Sequence, residues 1–514
     1  MGGIPDLRDA AAPARRGARR SRSLSGRARP VDSPSPARPL HRTKAAGANR
    51  GGAGGIVRAW LRLLRLELLR LARSRGVAIA VFLLLAIGFY AAWRGGRNIE
   101  AAESSAVAAE TAYRDQLAYL LSSYPPATEA GEMLYYLAFP APQPSLPLAA
   151  LARGRTEVEA ASLRIRLLAL EGQLYEHETV NPRLAAAGDL DLAFLLIALL
   201  PLFIIALTYD LVSSEREGGT WNLVRLFARP RRLLALKVAS RACLVGAVVA
   251  VPVAVAASLA GFSFDGRAGW AMALIALHTL FWFALCLGVA SRRRSSTANA
   301  MILVGTWVAL TLLAPAALSL ANAILHPVPE ALELTVRQRQ GYHEAWDLTK
   351  DETMQDFFED YPEWSDRTVP EDVFTWAWYY AMNHRGDQAA RDASRAYRDV
   401  LREREEWARR WSLFVPPLAA QLALDRLAAT DLSAQLAYQD AVRRHHERLK
   451  TYFYPVFFDA VPIDAVDWDG VPAFEPAVLE ESATRAGLPA ATALLLTSIL
   501  ILAAGARISG PRAD

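Results

Sequence analysis

Six apolar runs, each long enough to cross a bilayer, constrain this chain more than any other feature. They occupy 76–93, 190–207, 238–260, 270–290, 300–320 and 488–504. A helix of about 20 apolar residues covers ~30 Å of hydrocarbon. Inside lipid only a helix or a closed barrel satisfies its own backbone. The runs therefore predict an all-α membrane protein with six transmembrane helices. Arg70, Arg73 and Arg75 precede the first run. Arg225, Arg229, Arg231, Arg232 and Lys237 follow the second, and Arg292, Arg293 and Arg294 follow the fourth. These basic sites fall on one side, which the positive-inside rule makes cytoplasmic, with both termini. The regions 94–189 and 325–487 are then outside, while 208–237 and 505–514 are inside. The net charge of +5 is topology of this kind and not a nucleic-acid surface.

The polar parts have their own signatures. Residues 1–55 are rich in Arg, Ala, Gly, Pro and Ser and cannot bury a core, so a disordered basic tail is expected. No Met lies between Met1 and Met133, which makes Val57 a candidate native translation start and leaves the tail untranslated. Leu and Arg alternate at helical spacing over 56–75, as in an interfacial helix on the cytoplasmic leaflet. The first outside region, 94–189, reads as two helices, 99–122 and 147–178, around a Pro-rich turn. The second, 325–487, reads as helices over 330–359, 371–411 and 431–452, with Thr430-Asp431 as an N-cap. The two helical regions are expected to pack into one outer domain. Trp364, Trp376, Trp378, Trp407 and Trp411 are expected in its core or near the membrane surface.

Candidate chemistry is sparse. Cys243 and Cys286 both sit in apolar runs and read as small buried hydrophobes. His445-His446-Glu447 lacks the His-Glu-x-x-His spacing, and adjacent His residues point ~100° apart on a helix, so no metal is expected. The Gly-rich 51–55 is not followed by Gly-Lys-Ser/Thr and is no phosphate loop. No cofactor and no catalytic constellation emerges. His278 is the titratable group near the middle of a run, an intramembrane polar candidate by default; the blander reading is a neutral imidazole bonded to a neighbouring helix.

The stretch 209–221, Tyr-Asp-Leu-Val-Ser-Ser-Glu-Arg-Glu-Gly-Gly-Thr-Trp, stands where the second run meets the cytoplasmic face. Gly218-Gly219 permits a sharp turn. Glu215 and Glu217 precede the next short helix, where carboxylates favour the positive end. Trp221, Leu223, Val224 and Leu226 give that helix an apolar face fit for a partner's groove.

Together with six spans, Ser214-Glu215-Arg216-Glu217-x-Gly219-Thr220 resembles the permease subunit of a bacterial type-2 ABC exporter. In that family the matching stretch couples the permease to its ATPase. Trp221 stands where Leu is usual, and Leu236 where Gly often precedes the Lys. Pro416-Pro417, 418–427 and Thr430-Asp431 resemble the branch with two large insertions, often labelled multicopper-enzyme maturation permeases. The resemblance implies a multi-pass inner-membrane protein whose partners are the bilayer, a cytoplasmic ABC ATPase and a second permease copy or paralogue. It assigns ATPase coupling to Glu215, Arg216, Glu217, Gly218, Gly219, Thr220, Trp221, Leu223 and Leu226. The chain itself has no Walker-type loop, so ATP hydrolysis falls to a separate subunit. The alternative is a membrane-anchored assembly or sensor protein whose outer domain binds a partner without transport. A membrane enzyme has the least support.

Overall fold

The computed structural model describes residues 53–157, 162–174, 190–221, 230–261, 265–292, 294–328, 331–477 and 487–508. The basic tail up to residue 52 and the coupling candidates Leu223 and Leu226 lie outside the described residues. The protein is mostly helical, and among the described residues six helices are long and apolar enough to cross a membrane. They are Arg75–Ser123, Leu192–Glu217, Leu233–Ala260, Gly266–Ala290, Ser296–Leu325 and Gly487–Gly505, here the first to sixth spans. Helix α1 (Ala53–Arg73) precedes them.

The spans share one apolar core built from residues such as Leu196, Ile204, Trp282, Cys286 and Leu494. Large apolar side chains remain exposed on their outer faces, among them Phe82, Leu313, Ile324 and Leu500. Faces of that extent are tolerated where lipid, not water, covers them. Pro201 lacks an N–H, which removes a helical bond one turn back. The second span is π-helical over Leu195–Leu199, just before it. There the Ala198 carbonyl accepts from Trp307 Nε1 of the fifth span at 2.9 Å.

The first span is longer than its apolar run. Its 49 residues form one helix, so it extends ~74 Å at 1.5 Å per residue, more than twice the hydrocarbon thickness. The segment expected as a separate helix, 99–122, is the far part of this rod. Gly95 lets the chain at Ala150 lie directly against it: a Cβ there would stand 2.4 Å from the Ala150 carbonyl oxygen.

The described residues of 147–178 do not form the predicted long helix. Beyond α2 (Ala130–Tyr136), strand β1 (Phe139–Pro142) pairs antiparallel with β2 (Ser162–Ile165), with Phe139 opposite Ile165 and Ala141 opposite Leu163. Those four side chains are buried. Strand alternation, not helical periodicity, is what seats the segment. Pro140 and Pro142 are tolerated because a two-stranded sheet consists of edges. Tyr438 ties the pair down: its hydroxyl donates to Ala141 O at 2.5 Å and accepts from Leu163 N at 3.2 Å.

The second region folds as α3 (Ala331–Glu344), α4 (Lys350–Asp360), α5 (Trp376–Ser412), α6 (Pro416–Ala428) and α7 (Leu432–Phe458). The expected helix 330–359 is thus two helices. Thr349 starts the second with a reciprocal capping box to Glu352. Asp431 caps α7 by accepting from Ala434 N. Both regions contribute to one hydrophobic core, in which Leu134, Phe139 and Ile165 meet Phe357, Trp378, Phe453 and Phe457. Trp364 and Trp376 pack against it, whereas Trp407 and Trp411 lie at the far end of α5.

Candidate functional site

The Ser-Glu-Arg-Glu stretch forms a short helix, Ser213–Glu217, at the end of the second span, set off from its helix Leu200–Thr208 by a turn. On a helix, residues two apart point to nearly opposite sides. The spacing therefore sends Glu215 one way and Glu217 the other. Glu215 Oε1 accepts from Lys237 Nζ at 2.7 Å, at the start of the third span, and its second oxygen accepts from the Thr220 hydroxyl. Glu217 reaches the start of the fifth span. Its two carboxylate oxygens accept from Ser296 N and Ser296 Oγ, both at 2.7 Å. Ser295 caps the same helix end, so two of its orphan N–H groups are satisfied beside the positive end of the dipole. Ser213 Oγ lies 2.8 Å from Ser296 Oγ, and Asn299 Nδ2 donates to Tyr209 O at 3.2 Å.

Glu215 and Glu217 thus bond to the third and fifth spans, while the short helix expected after them lies outside the described residues. Lys237 is 5% exposed and paired. Arg241 is likewise turned inward, donating to Leu207 O at 2.7 Å. The rest of the motif faces out. Arg216 lies over the Trp221 ring at 5.4 Å, and Glu217, Gly218, Gly219 and Thr220 are exposed. Gly219 has φ +71°, a left-handed conformation that suits glycine.

His278 is buried in the fourth span, where its Nε2 accepts from Trp282 Nε1 at 3.2 Å. An indole N–H can only donate, so that nitrogen carries no proton and the ring is neutral. That partner is one turn along its own helix, and the ring also meets the Ile197 backbone of the neighbouring second span.

Sequence reasoning missed a cleft of about 410 Å³ between α4, α5, α7 and the one-turn helix Leu170–Gln173. Asp360, Arg391, Arg398 and Arg443 line it together with His384 and Lys450. Arg443 forks onto Glu171 at 2.8 and 3.0 Å, and Ser394 Oγ donates to the same carboxylate at 2.9 Å. Burial would raise Glu171, but these bonds hold it below the usual carboxylate range. Burial likewise opposes ionisation of Asp360, yet bonds from Gln388, Arg391 and His384 bring it down to about 2. Burial, with Lys450 beside it, pushes His384 down to about 4. Asp387 accepts from Leu170 N and Glu171 N, but burial still carries it up to about 6. Lys450 is held charged by Tyr361, Glu447 at 2.8 Å and Asp387 against its own burial. At neutral pH the walls are thus mutually paired ions around a neutral imidazole, an arrangement suited to binding a polar group.

Residues 332–477 match the family described as Domain of unknown function (DUF3526). The stretch includes α4, α5, α6 and α7, and hence most of the cleft. No curated protein and no solved structure matches the chain. His445 and His446 sit in the matched stretch, both buried. His446 Nε2 lies 3.0 Å from Leu168 O, which occupies that ring with the backbone. Among the described residues no group of three or more His, Cys, Asp or Glu is placed to hold a metal ion. One sequence signal could have found the cleft: Arg391, Arg395 and Arg398 recur at helical spacing and put three guanidinia on one face of α5.

Proposed function

We propose that this chain is the transmembrane permease subunit of an ATP-driven exporter, coupled to a separate cytoplasmic ABC ATPase through residues 209–221. The observation that carries this reading is the double tether, Glu215 to Lys237 and Glu217 to Ser296. A load applied to the exposed face of the element would be delivered to the third and fifth spans together. A surface loop without a partner has no need of two such connections. In this reading the chain lies in a bacterial inner membrane with both termini cytoplasmic, the two insertions outside, and a second permease copy or paralogue beside it. The fifth span, with 6% of its apolar window buried, has the most open face for that copy.

The test is co-purification from native membranes with mass spectrometry of what accompanies the protein. Wild type is compared with Arg216→Ala/Trp221→Ala, which alters the outward face, and with Glu215→Ala/Glu217→Ala, which cuts the tethers. An ATPase held by wild type and lost from the first variant is the expected result. No ATPase in any sample, with an extracytoplasmic protein in its place, would move the assignment to the assembly or sensor reading. The 410 Å³ cleft in the insertions favours that second reading, since it provides a binding site without reference to transport.

A further inference from the structure

A second cavity, of about 930 Å³, lies where the insertions meet the spans. Its walls are the last third of α5, helix α6, Asn322 near the end of the fifth span, and Pro489 and Ala490 in the first turn of the sixth. It stands near the upper end of the ~300–1,000 Å³ typical of ligand sites. Leu401, Ala408, Leu413 and Leu422 make much of the lining apolar. Arg155, Arg404, Arg409, Arg410 and Arg426 also line it, with the acidic side chains of Glu405, Asp425 and Asp431.

The paired charges leave a remainder. Arg426 spans Asp431 at 2.9 Å and Glu405 at 3.7 Å. Arg409 and Arg410 both turn to Glu406. Arg404 is half-buried, and among the described residues its guanidinium has no hydrogen bond or ion pair. An unpaired cation held partly out of water favours an anion beside it. Asn322 adds a second unmet group. Its Nδ2 donates to Arg404 O at 3.0 Å, pinning that wall to the fifth span, while its buried Oδ1 has no donor. Depth comes from aromatic rings. Trp407, Trp411 and Phe414 form a file with centroids 5.9 and 5.7 Å apart, and His326 at the end of the fifth span lies 6.3 Å from Trp407. Trp411 and Phe414 are 48% and 77% exposed. Exposed aromatics at the end of a span mark the headgroup level of a bilayer.

We propose that this cavity binds an anionic lipid drawn from the bilayer, its headgroup on Arg404, a headgroup hydroxyl donating to Asn322 Oδ1, and its hydrocarbon against the Leu401–Leu413 wall. The site does not depend on the permease reading, because none of its residues belongs to the coupling element.

The test uses the full-length protein, purified in a mild neutral detergent and examined by native mass spectrometry. It is offered phosphatidylglycerol, phosphatidylcholine or inorganic phosphate at equal concentration. Wild type is expected to retain phosphatidylglycerol at least about tenfold better than phosphatidylcholine, the scale of a charge-assisted hydrogen bond. Arg404→Gln is expected to remove that preference, Arg404→Lys to keep most of it, and Arg97→Gln, an exposed residue on the first span, to leave it intact. Ala408→Trp, which fills the cavity and keeps every charge, is expected to lower retention of both lipids. Equal retention of the two lipids by wild type, retention of inorganic phosphate as strong as of lipid, or an Arg404→Gln preference equal to wild type would each overturn the proposal. So would a lipid-free dimer that Ala408→Trp dissociates, since a second copy would then fill the space.

Discussion

Removing Glu215 and removing Lys237 break the same 2.7 Å ion pair, yet they should not cost the same. The Lys237 side chain is 7% exposed and the Glu215 side chain 20%. In Glu215→Gln the ammonium stays where water reaches it poorly, and stranding one partner of a buried pair costs ~3 kcal/mol or more. In Lys237→Met the surviving carboxylate is nearer water and keeps the Thr220 hydroxyl as a donor, so ~1 kcal/mol is expected. An unfolding entropy of ~2.1 cal/mol/K per residue, applied to the chain's 514 residues, converts these to Tm losses of ~3 °C and ~1 °C. The double variant leaves no stranded ammonium and should melt within ~1 °C of Lys237→Met, a coupling of ~3 kcal/mol. Cys243 is exposed, against the expectation for it, whereas Cys286 is buried and free in the span core, so melting can be followed in detergent with a thiol-reactive dye in a Cys243→Ser background. Equal losses from the two single variants, or a double variant that sums them, would refute the reasoning. An unchanged Tm in Glu215→Gln with loss of a bound ATPase would mean that Glu215 meets the partner directly.

Four further outcomes are expected. Gly95→Ala places a Cβ against the Ala150 carbonyl and should destabilise the protein by ~1–3 kcal/mol, read in the same melting assay. Gly219→Ala must hold φ +71° and should cost ~1 kcal/mol of local stability, seen as faster hydrogen exchange over 213–221. Burial of its carboxyl, with Asp191 and Asp431 near, pushes Asp425 up to about 8 despite the Gln421 donor. The folded chain therefore holds a proton that the unfolded chain releases near pH 4, and stability falls as pH rises from ~4 to ~8. Asp425→Asn, which keeps a neutral group there, should match wild type near pH 3 and melt progressively higher than it toward pH 8. Trp282→Phe removes the donor to His278 Nε2 and should cost ~1–2 kcal/mol, with His278→Leu/Trp282→Phe recovering part of it.

What could be read from the chain in advance divides along physical lines. Span-length apolar runs were legible because lipid demands a property of composition alone. The Asp431 cap was legible because a cap depends on a few adjacent residues. The pairing of Phe139–Pro142 with Ser162–Ile165 was hidden by Pro140 and Pro142, which argue against a strand unless both strands are edges. Ala and Leu over 147–178 imitated a helical stripe. At 209–221 the stretch stood out in the sequence, but the groups it bonds to did not. Nothing local says that Glu215 meets a lysine 22 positions on or that Glu217 meets a serine 79 positions on. The 410 Å³ cleft was out of reach for the same reason: Glu171 and Arg443 are 272 positions apart.

The first span has a mechanical consequence. It runs without a break from the lipid-facing segment to Ser123, and near that end Leu120 is buried in the core of the insertions. Some 30 residues project past the apolar run, an arm of ~45 Å. If the rod stays straight, a tilt of ~5° about the membrane end carries its tip ~4 Å sideways. That displacement rivals the spacing between packed side chains, so a small reorientation among the helices in the lipid would be magnified into a shift able to open or shut the crevices of the distal domain.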